Sequence, residues 1–168
     1  MEKRIKNSAK KDPVDSIPNI DTSWKNSLGF QLGKALWALS ATLNATLKEN
    51  GIDLPTSQYI VMRFLYGQDG ISQNRIATLL YKDAAAIKRS IDNLEKKGLV
   101  ERRAVSRCKN NIYLTEKGRE LMPEVIAVAN KVFDMTTELP EEMCRIGNLY
   151  LESIYNKFQK EKSAKEKN

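Results

Sequence analysis

The sequence predicts a mainly α protein that carries one short β-hairpin. Three observations point there. Apolar residues repeat at helical spacing along most of the chain, two short helical patterns meet across a three-residue turn, and two short segments with β-branched residues follow directly. With 168 residues, 41% of them hydrophobic, the chain can bury one domain core and still carry appended helices. No run approaches the roughly 18 apolar residues that a membrane span needs, so no membrane partner is expected.

Residues 1–22 mix charges, Ser, Asn and two prolines with few apolar side chains and read as a flexible arm. Their basic start has no apolar stretch behind it, so no secretory signal is expected. From Trp24 the pattern turns helical. Leu28, Leu32, Leu36, Leu39, Leu43 and Leu47 form one stripe, Phe30 and Trp37 fall beside it, and Asn50-Gly51 ends the helix. Residues 23–51 are therefore expected to form an N-terminal helix that buries its stripe against a second subunit or against later helices.

Leu54-Pro55-Thr56-Ser57 opens the next helix, with Thr56 or Ser57 as the capping side chain. It runs from Gln58 to about Tyr66, burying Ile60 or Val61, Phe64 and Leu65, until Gly67-Gln68-Asp69-Gly70 breaks it. Ser72 caps a third helix, Gln73 to Leu80, with Ile76, Ala77 and Leu80 inward. After Tyr81-Lys82-Asp83, where Asp83 is the N-cap, a fourth helix runs from Ala84 to Lys97. It holds Ile87, Ile91 and Leu94 inward and stops at Gly98. Leu99 to Val105 and Asn111 to Leu114 read as strands around the basic loop Ser106-Arg107-Cys108-Lys109-Asn110. A helix-turn-helix followed by such a hairpin is an α+β winged helix, here spanning residues 52–115.

Thr115 caps a long helix whose apolar face holds Leu121, Val125, Val128 or Ala129, Val132 and Phe133. Pro123, about two turns in, removes one backbone hydrogen bond and predicts a bend. Leu139-Pro140-Glu141-Glu142 opens the last helix, where Met143, Ile146, Tyr150, Ile154 and Phe158 repeat at helical spacing. Residues 116–160 are thus C-terminal helices, and the lysine-rich tail, residues 161–168, is expected to fray.

Composition narrows the chemistry. The chain has no histidine, which removes imidazole-activated nucleophiles, histidine general-base catalysis and histidine-ligated metal sites. Cys108 and Cys144 close neither a zinc site nor a disulfide framework alone, and they suit a reduced, cytoplasmic setting. No acid pair clusters as a carboxylate enzyme would need. No enzymatic activity, metal or cofactor is expected. The net charge is +7, and between Ser72 and Thr115 ten Lys/Arg face four Asp/Glu, a net +6. Concentration in one quarter of the chain is the footprint of a polyanion partner, although a solvated basic face gives the same count.

The stretch LPTSQYIVMRFL, the helix-turn-helix, then RSIDNLEKKGLVERR and IYLTEKGREL resemble the MarR family of bacterial transcriptional regulators, in order and spacing, from about Trp24 to Phe158. The block from Ile91 to Val100, followed by Leu114-Thr115-Glu116-Lys117-Gly118, is its most specific part. The resemblance implies a dimer of winged helices joined through the first and last two helices, which supplies the leucine stripe with a partner. Two departures stand out. The Asp-Arg-Arg run of family wings is Ser106-Arg107-Cys108 here, so the acidic half of the usual wing brace is missing. The recognition helix opens Ala84-Ala85-Ala86, where relatives often place hydroxyl residues.

Candidate site residues follow. On the fourth helix Ala84, Ala85, Lys88 and Arg89, with Asp92 beside them, point away from the core stripe and toward a major groove, where Arg or Lys can reach guanine edges and alanine a thymine methyl. Gln73, Asn74 and Arg75 would meet phosphates. The resemblance singles out Arg107 for the minor groove, with Arg102, Arg103, Lys109 and Asn110 near the backbone. Each has an ordinary reading as a solvated polar residue. Trp24, Phe30, Trp37, Tyr59 and Arg63 could line a cleft for a small-molecule effector of the kind family members often bind, but aromatics at helical spacing are more often plain core. Leu28, Leu32, Leu36, Met143, Ile146, Tyr150 and Ile154 are the expected dimer contacts. Cys144 reads as a packing residue. Cys108, between Arg107 and Lys109, reads as a spectator thiol or as one whose thiolate those cations favour. The expected function is a cytoplasmic, homodimeric regulator that binds a pseudo-palindromic double-stranded operator, a repressor relieved by a small molecule or another signal. The alternative is a winged-helix interaction module that docks an acidic protein.

Overall fold

The structure is a computed structural model that describes residue 24 and residues 27–106, 109–135 and 138–165. The expectations for the arm, for Arg107 and Cys108, and for the last residues of the tail concern positions outside these. The elements are α1 (Leu28–Glu49), α2 (Thr56–Gly67), β1 (Ile71–Ser72), α3 (Gln73–Leu79), α4 (Ala84–Lys96), β2 (Val100–Ser106), β3 (Lys109–Leu114), α5 (Glu116–Asp134) and α6 (Glu141–Lys165). Residues from Leu39 onward form one compact unit; those up to Ala38 form another, described by itself.

The core is where the sequence periodicities converge. Leu43 and Leu47 of α1, Val61, Met62 and Leu65 of α2, Ile76 of α3, and Ile87, Ile91 and Leu94 of α4 are buried together. Val100, Ile112 and Leu114 of the hairpin and Met122, Val125, Val128, Ala129 and Val132 of α5 complete the cluster. Two open alternatives resolve: Val61, not Ile60, is fully buried, and Val128 and Ala129 are both inside. The leucine stripe of α1 divides. Its C-terminal leucines are core, whereas Leu28 and Leu36 are about half exposed.

Most helix ends match the expected chemistry. Ser72 Oγ accepts from the Arg75 amide, Asp83 Oδ2 from the Ala86 amide at 2.9 Å, and Thr115 Oγ1 from the Gly118 amide at 3.0 Å. The start of α2 does not. Thr56 is already helical, Pro55 holds the cap position, and no side chain of that position caps the helix. Asn44 of α1 does this instead, its Oδ1 accepting from the Thr56 amide at 2.7 Å and from the Thr56 hydroxyl at 2.8 Å. The far end of the chain also differs: α6 continues to Lys165, into the stretch expected to fray. Gln159 to Lys165 holds good helix formers apart from Ser163, with no Gly or Pro to stop the helix.

The sheet has three antiparallel strands in the order β1-β3-β2, with Ile71 opposite Ile112 and Arg102 opposite Ile112 on the other side. Strand β1 was not legible locally, because two residues are too few to show alternation. The turn before β1, read only as a helix breaker, pins the sheet to α5. Asp69 Oδ1 accepts from the Gly70 and Leu114 amides, and its other oxygen pairs with Arg119. Gly118 lets the first turn of α5 close on the hairpin: a Cβ there would overlap the Leu99 carbonyl oxygen.

Candidate nucleic-acid interface

The two helices of the motif meet at a tight reversal. The Lys82 amide donates to the Ala77 carbonyl at 2.9 Å, and Tyr81 takes a left-handed backbone with φ of 51°. From there Asp83 starts α4, whose buried stripe of Ile87, Ser90, Ile91 and Leu94 faces the core. The opposite face follows from the 3.6-residue period, and Ala84, Ala85, Lys88 and Arg89 all lie exposed on it. Arg89 makes no ion pair among the described residues.

Lys88 is not alone. Its Nζ lies 2.7 Å from Asp92 Oδ2, one turn along α4. The other oxygen of Asp92 lies 2.5 Å from Arg102 Nη2 of β2, and Arg102 Nη1 pairs with Glu95. Hydrogen bonds from Lys88 first, and Arg102 second, hold the Asp92 carboxyl below its ordinary range. Arg102, expected beside the DNA backbone, therefore reaches back onto α4. Arg103 holds Glu101 through Nε at 2.9 Å and packs its guanidinium over the Tyr113 ring, 4.5 Å from the centroid. The sequence placed Arg102 and Arg103 near the DNA backbone and announced none of these pairings. At the hairpin, Asn110 is exposed and Lys109 begins β3. Gln73 is half-buried at the start of α3, with Asn74 and Arg75 exposed beside it.

Of the five residues proposed for an effector, Tyr59 and Arg63 share a cavity of about 440 Å³ with Ile60, Phe64, Gly67, Gln68 and Leu80. Burial pushes the Tyr59 hydroxyl above its ordinary range, against the opposing pull of Arg63. Phe133, not among the candidates, packs on Tyr59 with ring centroids 6.4 Å apart. Trp24 and Trp37 belong to the N-terminal unit, where Trp24 meets Phe30 edge-on at 4.6 Å and Trp37 is 69% exposed.

Among the expected dimer contacts, Leu28, Leu36, Met143, Ile146 and Tyr150 are exposed, and Leu32 and Ile154 are half-buried. Leu149 and Phe158 extend the exposed apolar set on α6. Tyr155 of α6 meets Tyr81 at the α3–α4 reversal, ring centroids 6.3 Å apart, a contact the sequence did not announce. Cys144 is a half-buried free thiol, in keeping with a packing role. No described helix is long and apolar enough to cross a membrane.

A helix-turn-helix with a three-stranded sheet and long flanking helices defines a winged-helix protein. Its likenesses are specific. The sequence pattern of the MarR family matches residues 52–107. The uncharacterized HTH-type transcriptional regulator YybA of Bacillus subtilis (strain 168) is 27% identical over 100 residues, 58% of this chain. The match spans 65% of that relative's own length. The crystal structure of CouR from Rhodococcus jostii RHA1, bound to p-coumaroyl-CoA, has 25% identity and a TM-score of 0.68, covering 80% of this chain and 95% of its own. The S. aureus MepR–DNA complex shares the fold with a TM-score of 0.72 at 21% identity, covering 79% of this chain and 98% of its own. Over residues 52–107 the chain is similar to the MarR family of transcriptional regulators, and it shares the winged-helix fold of these solved structures.

Proposed function

We propose that the chain acts in the cytoplasm as a homodimer that binds a pseudo-palindromic duplex operator and represses transcription until a small molecule or another signal releases it. One observation carries the DNA-binding reading: the face of α4 opposite the core presents Lys88 and Arg89 to solvent, within the segment that holds nearly all the chain's excess positive charge. Such a face fits a major groove, with Ala84 and Ala85 available to thymine methyl groups. Asn74, Arg75 and Asn110 surround it as phosphate contacts, Gln73 stands at the helix start beside them, and Lys109 and Arg107 belong to the wing that would meet the minor groove. The MepR structure, a DNA complex of the same fold, is in keeping with this.

The dimer rests on α6, where Met143, Ile146, Tyr150 and Phe158 are each about half exposed in the single chain. A helix face this apolar needs a partner, and a second copy of α1 and α6 supplies one. For the effector, the Tyr59–Arg63 cavity offers apolar walls and one cation, and CouR, a relative of this fold, was captured with p-coumaroyl-CoA. Fluorescence anisotropy with a labelled duplex, titrated across salt concentrations and run beside an acidic protein, tests the reading. Tight binding to the duplex that falls steeply with salt is expected. Preference for the acidic protein would overturn it in favour of an interaction module.

A further inference from the structure

We propose that Arg102 is a positioning residue: it binds no phosphate but fixes the wing strand to the recognition helix and sets the state of Lys88. The inference deepens the DNA-binding reading and rests on it. Lys88, Asp92 and Glu95 form one stripe on α4, spaced so that each lies a turn from the next. The guanidinium of Arg102 spans Asp92 and Glu95 from β2, one nitrogen to each carboxylate, a fork that an ammonium cannot reproduce. The Arg102 side chain is 23% exposed, against 62% for Lys88 and 58% for Arg103, so it is the most sheltered cation of this surface.

Two consequences follow from electrostatics. Asp92 divides its two oxygens between Lys88 and Arg102. Without Arg102 the whole carboxylate charge falls on Lys88, which is then held against its own helix instead of reaching a base. Glu95 and Asp92 would also stand uncompensated beside a polyanion, where like charge repels. Arg102 thus joins the hairpin to the helix proposed to read the groove.

The test uses the full-length chain and the duplex that the wild type enriches from a randomised pool. Arg102→Met is expected to weaken binding about tenfold and to flatten base preference at the positions that Lys88→Ala also affects. Arg102→Lys, which keeps the charge and loses the fork, should behave like Arg102→Met. In an Asp92→Asn, Glu95→Gln background the same Arg102→Met change should cost less than about twofold, because its partners are already neutral. A thermal melt of each variant separates loss of fold from loss of positioning, since a merely structural role would not move base preference. Wild-type binding by Arg102→Lys, or an equal cost of Arg102→Met in both backgrounds, marks a direct phosphate contact and overturns the proposal alone. A wild-type chain that enriches no duplex overturns the DNA-binding reading, and this proposal with it.

Discussion

Lys88 and Arg89 stand side by side on α4 yet differ in their surroundings. Arg89 makes no ion pair among the described residues, while Lys88 is held 2.7 Å from Asp92. Replacing either with Ala should cost about 1–3 kcal/mol of DNA affinity if a base contact is lost. Selection from a randomised operator pool should show relaxed preference at particular base pairs for each variant. A uniform drop across all sequences would assign them to the phosphates instead. Asp92 offers a second check. Its folded pKa is depressed, so the pairings it makes contribute above the unfolded value, about pH 4, and are lost as pH falls through the folded value. Carboxyl NMR titration should place the Asp92 midpoint below that of a free aspartate, and Lys88→Ala should move it upward. A midpoint at the ordinary value would mean that neither cation holds it. Which residues of α4 face outward was legible from the helical period alone. That Arg102 returns to Asp92 and Glu95 was not, because the pairing depends on how a strand lies against a helix, which no local pattern encodes.

At the scale of elements, local chemistry fixed the ends and tertiary contact fixed the exceptions. Ser72, Asp83 and Thr115 were readable as caps because each bonds an amide three residues ahead in its own helix. Asn44 was not, since it caps α2 from another helix. Strand β1 was invisible for a similar reason, its identity coming from β3 rather than from its own two residues. Gly118 belongs among these constraints imposed from outside the element. A methyl group there meets the Leu99 carbonyl, so Gly118→Ala must shift α5 or the hairpin. It should destabilise the lobe by about 1–3 kcal/mol despite the better helix propensity of alanine. Chemical denaturation would measure this, and a stability equal to or above wild type would show that the helix start can move freely.

For the whole molecule, the division of the α1 leucine stripe matters most. Leu43 and Leu47 complete the winged-helix core, whereas Leu28 and Leu36, like Met143, Ile146 and Tyr150 of α6, remain about half exposed in the single chain. The sequence showed an apolar stripe but could not apportion it between one subunit and two, because burial inside a chain and burial between chains use the same spacing. The proposed dimer predicts a melting temperature that rises with protein concentration. Light scattering should give twice the chain mass at micromolar concentration, and truncation before Glu141 should abolish this. A monodisperse monomer would contradict it. In the proposed dimer, paired recognition helices would need half-sites about one helical turn apart, roughly 10 base pairs centre to centre. Selection of bound duplexes from a randomised pool by the full-length protein tests this most directly. An enriched pseudo-palindrome with that spacing is expected, with loss of tight binding when about five base pairs are inserted between its halves. Enrichment of no sequence, or affinity indifferent to the insertion, would contradict it.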